Sequence, residues 1–383
     1  ESFFVLFGTE AVLRAPPKQI SPPPLAGNAI PLQLNPDFRR LESVLRMEGE
    51  PDRVPFYEHL VDIEVMNAIA GPSIASGTPD GMVDLRLRFY GKLGYDYIPM
   101  EIKWPFPRTN FVAGADTAWI PRAQRRWVDQ QHGTIESWED YGRYQFPERG
   151  TDFASPVERV SKALPEGTKI ITHACGGVLE NTMWLMGAKH FVRTLYTDRR
   201  LVRSIFDKVG EALVEAFTQA SQVKGVGAMC LGDDMGLRTG TMIPPAELMR
   251  YVFPWHRKIC RAAHSQDLPF ILHSCGNLTG VMDCLIDYVG IDAKHSFEDA
   301  IMPVAEVKRR WGDRVALLGG IDVDVLARRD VAATAAYVRS VVNSCLPGGS
   351  WALGSGNSIP NYVKIDNYLA MLKEGARSGR YRR

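Results

Sequence analysis

From Asn35 onward, short apolar runs alternate with longer stretches in which apolar and polar positions recur every three to four residues. Eight of the short runs have the length and the β-branched or aromatic content of strands. They are Val54–Tyr57, Tyr97–Ile102, Lys169–His173, Ala228–Gly232, Phe270–His273, Ile291–Ala293, Val315–Gly319 and Trp351–Gly354. The stretches between them read as amphipathic helices. In Val202–Ala220, for instance, Ile205, Val209, Leu213 and Phe217 fall on one face. Pro244-Pro245 suits the first turn of a helix, and Asp330 is placed to cap a helix running through Val341. Strand–helix alternation predicts a parallel sheet covered by helices, and eight repeats fit an α/β fold of the closed (β/α)8 TIM-barrel type. An open doubly wound sheet would have fewer strands, and no Gly-x-Gly-x-x-Gly turn follows the first run.

Two stretches break the alternation. Residues 1–34 contain Pro16-Pro17 and Pro22-Pro23-Pro24, which favour extended backbone without amide donors, so they read as a Pro-rich N-terminal extension. Residues 35–383 read as a single domain. Lys103 to Thr168 carries little strand signal but holds Trp104, Trp119, Trp127 and Trp138, which predicts an insertion or helical cap over the barrel mouth.

Composition narrows the function classes. The 383 residues are 45% hydrophobic and 23% charged, with a formal net charge of +1, so nothing predicts a nucleic-acid or anionic-membrane partner. No apolar run approaches the roughly 18–20 residues of a spanning helix, and the apolar start at Phe3–Phe7 lacks the basic flank and cleavage site of a secretory signal. Six irregularly spaced cysteines do not form a disulfide framework, so a reducing cytoplasm is the expected location.

In a (β/α)8 barrel the chemistry sits at the carboxyl ends of the strands. That rule selects Glu101, His173 and Cys175, Asp233 and Asp234, His273 and Cys275, His295 and Glu298, Asp322, and Asn357 just past the last strand. The sharpest element is His273-Ser274-Cys275-Gly276-Asn277. An imidazole and a thiol two residues apart on a strand end point the same way and can share a zinc ion. A second His-x-Cys-Gly turn, His173-Ala174-Cys175-Gly176, lies one hundred positions earlier, which makes Cys175 a further candidate ligand. Asp233-Asp234 is the candidate acid pair, one carboxylate facing substrate or an ion while the other caps a segment or binds an arginine. Arg238 could grip a substrate carboxylate. His59, His132, His190, His256 and His264 read as surface or locally satisfied histidines.

Taken together and in order, these motifs resemble the uroporphyrinogen-decarboxylase superfamily over roughly residues 35–380. The resemblance is carried by Phe38–Arg46, Pro51–Phe56, Gly232-Asp233-Asp234-Met235-Gly236 with Ile243–Leu248, His273–Asn277 and Leu318-Gly319-Gly320-Ile321-Asp322. The superfamily also contains corrinoid-linked methyltransferases. The stretch Val54–Val61 has none of the arginines with which the true decarboxylase grips its porphyrinogen, whereas His273-x-Cys275 matches the zinc element of the methyltransferases. The resemblance therefore implies methyl transfer between a small substrate and a corrinoid (cobalamin). His273 and Cys275 would hold zinc, and Asp234 or Glu101 would handle a proton or orient substrate. Asp233, Asn277, Asp322, Glu298, Arg238 and Asn357 complete the expected site. In those methyltransferases a third ligand, Cys, follows the last strand. Here Asn357 stands in that place, leaving Cys175, Asp234 or Glu298 to substitute. The chain has no Asp-x-His-x-x-Gly corrinoid-ligating pattern, so the corrinoid would come on a partner protein. A homodimer is the expected assembly. Two other functions fit the same residues: metal-independent decarboxylation of a small carboxylated substrate, and non-catalytic binding of a corrinoid or similar ligand.

Overall fold

A computed structural model describes residues 32, 34–72, 77–102, 106–120, 122, 124–129 and 131–381. The Pro-rich extension, Leu32 and Leu34 apart, and Trp104 lie outside the described residues.

Among the described residues nine strands form: β1 (Tyr97–Glu101), β2 (Phe111–Gly114), β3 (Arg125–Val128), β4 (Lys169–Cys175), β5 (Val226–Gly232), β6 (Phe270–His273), β7 (Ala293–His295), β8 (Ala316–Leu318) and β9 (Trp351–Ala352). Seven of them make one parallel sheet in the order β1-β4-β5-β6-β7-β8-β9. Every residue of β5 and β6 is buried, as expected of strands covered on both faces. The sheet curls, and helices surround it. The longest helix, Arg199–Ser221, buries Leu201, Ile205, Val209, Leu213 and Phe217, and the Asp198 carboxylate caps it by accepting from the Leu201 amide. Asp330 caps Val331–Cys345 in the same way, accepting from Ala333 at 2.7 Å.

The eighth barrel position is filled without a full ladder. Val54–Tyr57 joins β9 through a parallel bridge at Phe56 and Leu353, with the Tyr57 amide donating to Leu353 and the Leu353 amide donating to Pro55. Pro55 has no amide proton, which limits the segment as a sheet member. Toward β1, side chains make the contact. The Tyr97 hydroxyl donates to the Glu58 carbonyl at 2.7 Å and accepts from the Glu58 amide at 2.8 Å. Beneath it the fully buried Asp96 carboxylate accepts from Arg53 at 2.9 and 3.1 Å, from Arg40 at 3.1 Å and from the Asp37 amide.

Two sequence expectations shift. The sixth strand is Ala293–His295 rather than Ile291–Ala293, because Gly290 takes a left-handed conformation and Ile291 still belongs to the turn. The aromatic insertion is not a purely helical cap. It contains the antiparallel hairpin β2–β3 and two short helices, Trp138–Arg143 and Ser155–Ser161.

Candidate metal centre

Register builds the site. His273 ends β6 opposite Gly232 of β5 and His295 of β7. Two residues deeper, His173 of β4 pairs with Cys230 of β5. Both His-x-Cys turns end in a glycine at positive φ, Gly176 at 89° and Gly276 at 80°. A side chain at Gly276 would also collide with the Gly236 backbone, so this turn packs directly on the loop that follows β5.

His295 Nε2 lies 3.2 Å from the Ser355 carbonyl oxygen, and His295 Nδ1 lies 2.7 Å from His273 Nδ1. Burial holds both imidazoles well below their ordinary pKa, so each carries one proton. A carbonyl can only accept, which places the His295 proton on Nε2. His295 Nδ1 must then accept from His273 Nδ1–H. The consequence is a bare lone pair on His273 Nε2, 3.5 Å from Cys275 Sγ and 3.7 Å from Asp234 Oδ1. Fixing a ligand's tautomer through its other nitrogen is the usual arrangement around metal-binding histidines.

Asp234, His273 and Cys275 bring their donor atoms within 4.8 Å of one another. The donor set of one imidazole, one thiol and one carboxylate suits zinc. Tetrahedral zinc separates a nitrogen and a thiolate ligand by about 3.5–3.6 Å, close to the 3.5 Å between His273 Nε2 and Cys275 Sγ. Asp234 also accepts from the Cys275 amide at 2.7 Å, which ties the two ligands together. The Cys275 thiol is pushed well up by burial and then by the Asp234 charge, and burial raises Asp234 as well. A divalent cation would relieve both penalties. Asn357 stands at the expected third-ligand position, but it approaches sulfur rather than a metal. Its Nδ2 donates to Cys275 Sγ at 2.9 Å, and its Oδ1 accepts from Ser358, which fixes the amide orientation.

The remaining sequence candidates separate by location. Asp233 is fully buried, and both its oxygens are occupied. They accept from the Leu179 and Glu180 amides at the start of helix Val178–Met186 and from His256 Nε2 at 2.7 Å, so this carboxylate caps and braces rather than facing the site. Asp322 caps helix Val323–Arg328 and also accepts from the Asp299 amide. Cys175 does not join Cys275: its sulfur lies 3.7 Å from His59 Nε2. Glu101, in register with His173, acts on Cys175 electrostatically. Arg238 is exposed on the Gly236–Thr241 turn, whose Leu237 carbonyl accepts from the Asn277 amide. Asn277 and Glu298 line one open pocket together with Thr279, Lys294, Met302 and Trp311. Burial raises the Glu298 carboxyl, with help from Asp322.

Several groups at this end of the barrel escaped sequence reasoning. His59 is buried, its ring stacked 3.9 Å from that of His273 at an angle of 8°. Lys294 is buried beneath the Cys275 turn, donating to the Ser274 and Ser296 carbonyls, and burial lowers it to about 8. Glu58 accepts from the Ser355 amide and hydroxyl, and burial lifts it to about 8. His256 is the locally satisfied histidine that the sequence allowed, buried on helix Phe253–His264 against Asp233. The strand-end rule applied to Val54–Tyr57 would have pointed to Glu58 and His59, whereas Lys294 and its carbonyl partners left no local signal.

Comparison with known proteins bears on the fold and the family. A methyltransferase from Methanosarcina mazei superposes with a TM-score of 0.66 at 15% identity, over 88% of this chain and 97% of that one, which is a likeness of fold. A candidate vitamin-B12 independent methionine synthase from Listeria monocytogenes gives a TM-score of 0.48 at 11% identity, over 86% of this chain and 98% of that one. No curated protein matches in sequence. Among the described residues no helix is long and apolar enough to cross a membrane. The family model for uroporphyrinogen decarboxylase (URO-D) matches residues 75–377, and the chain belongs to that family.

Proposed function

We propose that this chain is a methyltransferase that moves a methyl group between a small substrate and a corrinoid carried by a partner protein, with zinc held by His273, Cys275 and Asp234. The observation that carries this reading is the tautomer chain from Ser355 through His295, which leaves the His273 Nε2 lone pair facing Cys275 and Asp234. Zinc, when bound, would supply Lewis acidity that holds a substrate thiol or hydroxyl as its anion. Asp234 keeps the Cys275 turn in place through the amide bond and balances the ion's charge. The Asn357 amide donates to the Cys275 sulfur and so favours its thiolate. Lys294, clamped on the carbonyls flanking this turn and His295, adds positive charge beneath it. Asn277 and Glu298 offer polar contacts for a small substrate in the adjoining pocket.

The test is zinc content of purified protein, paired with methyl transfer from methylcobalamin to small thiols, for wild type and Cys275→Ser. The reading expects zinc and activity in the wild type and loss of both in the variant. Full activity without metal would overturn it, and carbon dioxide release from a small carboxylated substrate would point to the decarboxylase reading instead.

A further inference from the structure

A second constellation lies deeper in the barrel and has no part in the proposed reaction. His59, His173 and Cys230 are all buried, and their donor atoms lie within 4.8 Å of one another. His173 and Cys230 face each other across β4 and β5, two residues below the level of Cys175, Gly232 and His273. Two residues of strand correspond to about 6–7 Å along the strand. His59 reaches down between the levels. One edge of its ring meets His173 and Cys230, and its face stacks on His273.

The separations decide what the constellation is suited to. Tetrahedral zinc places two nitrogen ligands about 3.3–3.4 Å apart and a nitrogen and a thiolate about 3.5–3.6 Å apart. His59 Nδ1 lies 3.3 Å from His173 Nδ1 and 3.6 Å from Cys230 Sγ. By contrast, the 2.7 Å between His273 Nδ1 and His295 Nδ1 is a short hydrogen bond, too close for two ligands of one ion. His273 and His295 therefore hydrogen-bond to each other rather than share an ion, whereas the two edges from His59 to His173 and to Cys230 match a coordination site. The polar contact of the His173 ring is made through Nδ1 alone.

We propose that His59 Nδ1, His173 Nδ1 and Cys230 Sγ form a second, buried metal site that takes a thiophilic divalent cation such as zinc. Binding forms two metal–nitrogen bonds and one metal–sulfur bond. The Cys230 thiol loses its proton to solvent, and the His173 proton moves from Nδ1 to the vacant Nε2. No electron changes hands. The Tyr57 hydroxyl, 3.5 Å from Cys230 Sγ, adjoins the site. Buried among strands, the ion would fix the barrel core and, through the stacked His59 ring, the position of His273.

Zinc titrated into metal-free protein, with the bound ion counted after gel filtration, tests this independently of catalysis. Two ions per chain are expected in the wild type, one in Cys275→Ser, one in Cys230→Ser and none in the double variant. Cobalt(II) in Cys275→Ser should give a sulfur-to-metal charge-transfer band that disappears in the double variant. His173→Phe, which keeps the aromatic packing, should also lose one ion, with circular dichroism confirming the fold. A wild type that binds one ion, lost in Cys275→Ser and kept in both Cys230→Ser and His173→Phe, would overturn the second site while leaving the first intact. Absence of any ion from Cys230 with Cys275 still loaded has the same meaning.

Discussion

His273 Nδ1 donates to His295 Nδ1 across 2.7 Å, and that one bond decides which nitrogen of His273 faces the barrel mouth. Replacing His295 by Phe keeps a ring of similar size but removes the acceptor. His273 is then free to adopt the other tautomer, and zinc affinity should fall roughly 10–100-fold. Competition with a chelating dye measures it. Unchanged affinity in His295→Phe would refute the relay.

Asp233 and Asp234 should respond in opposite ways. Asp233→Ala uncaps the Leu179 and Glu180 amides and strands the buried His256, so unfolding free energy should drop by about 3 kcal/mol. Asp234→Asn keeps an oxygen for the Cys275 amide, so stability should stay within about 1 kcal/mol while zinc affinity falls at least about tenfold. Urea unfolding and zinc titration on both variants check the split. The reverse assignment of effects would exchange their roles.

Barrel closure rests on a buried ion cluster. Asp96→Asn would leave Arg53, itself buried, without its counter-charge, and should destabilise the fold by about 3–5 kcal/mol. A shift of less than about 1 kcal/mol in denaturant unfolding would show that Arg53 finds other acceptors.

One pH dependence follows from a half-exposed pair. His264 Nε2 bonds the Asp292 carboxylate at 2.7 Å, which raises the imidazole pKa against the opposing effect of burial. The folded state thus favours the charged ring. Its contribution is fully present below the ordinary imidazole value of about 6.5 and is lost as pH rises through the raised value. Solvent screening keeps it to roughly 0.2–1 kcal/mol. Wild type should therefore exceed His264→Gln in stability at about pH 5.5 and converge with it at about pH 9. A gap that widens with pH would contradict the pairing.

Much of the framework was readable from local pattern. The helix read at Val202–Ala220 is the core of Arg199–Ser221, and the cap at Asp330 is where the sequence placed it. His273 and Cys275 could be paired because residues two apart on a strand share a face. The same alternation put Asp233 and Asp234 on different sides, yet gave no reason to choose between them. The structure chooses, because the helix start at Val178 and the ring of His256 both lie on the Asp233 side. Cys175 looked equivalent to Cys275 from its turn. It is not, because β4 and β6 are separated by β5, and its nearest nitrogen belongs to His59.

The sequence by itself determined the strand–helix alternation, the barrel class and the His-x-Cys turn, since each depends on residues within a few positions of one another. Only the tertiary structure decided which donor groups meet and which tautomers they take. His59 meets His173 and Cys230, and Ser355 orients His295, through contacts between residues 60 to 171 positions apart. Such contacts exist only once the curled sheet has closed, and no local periodicity records which strand ends closure brings face to face.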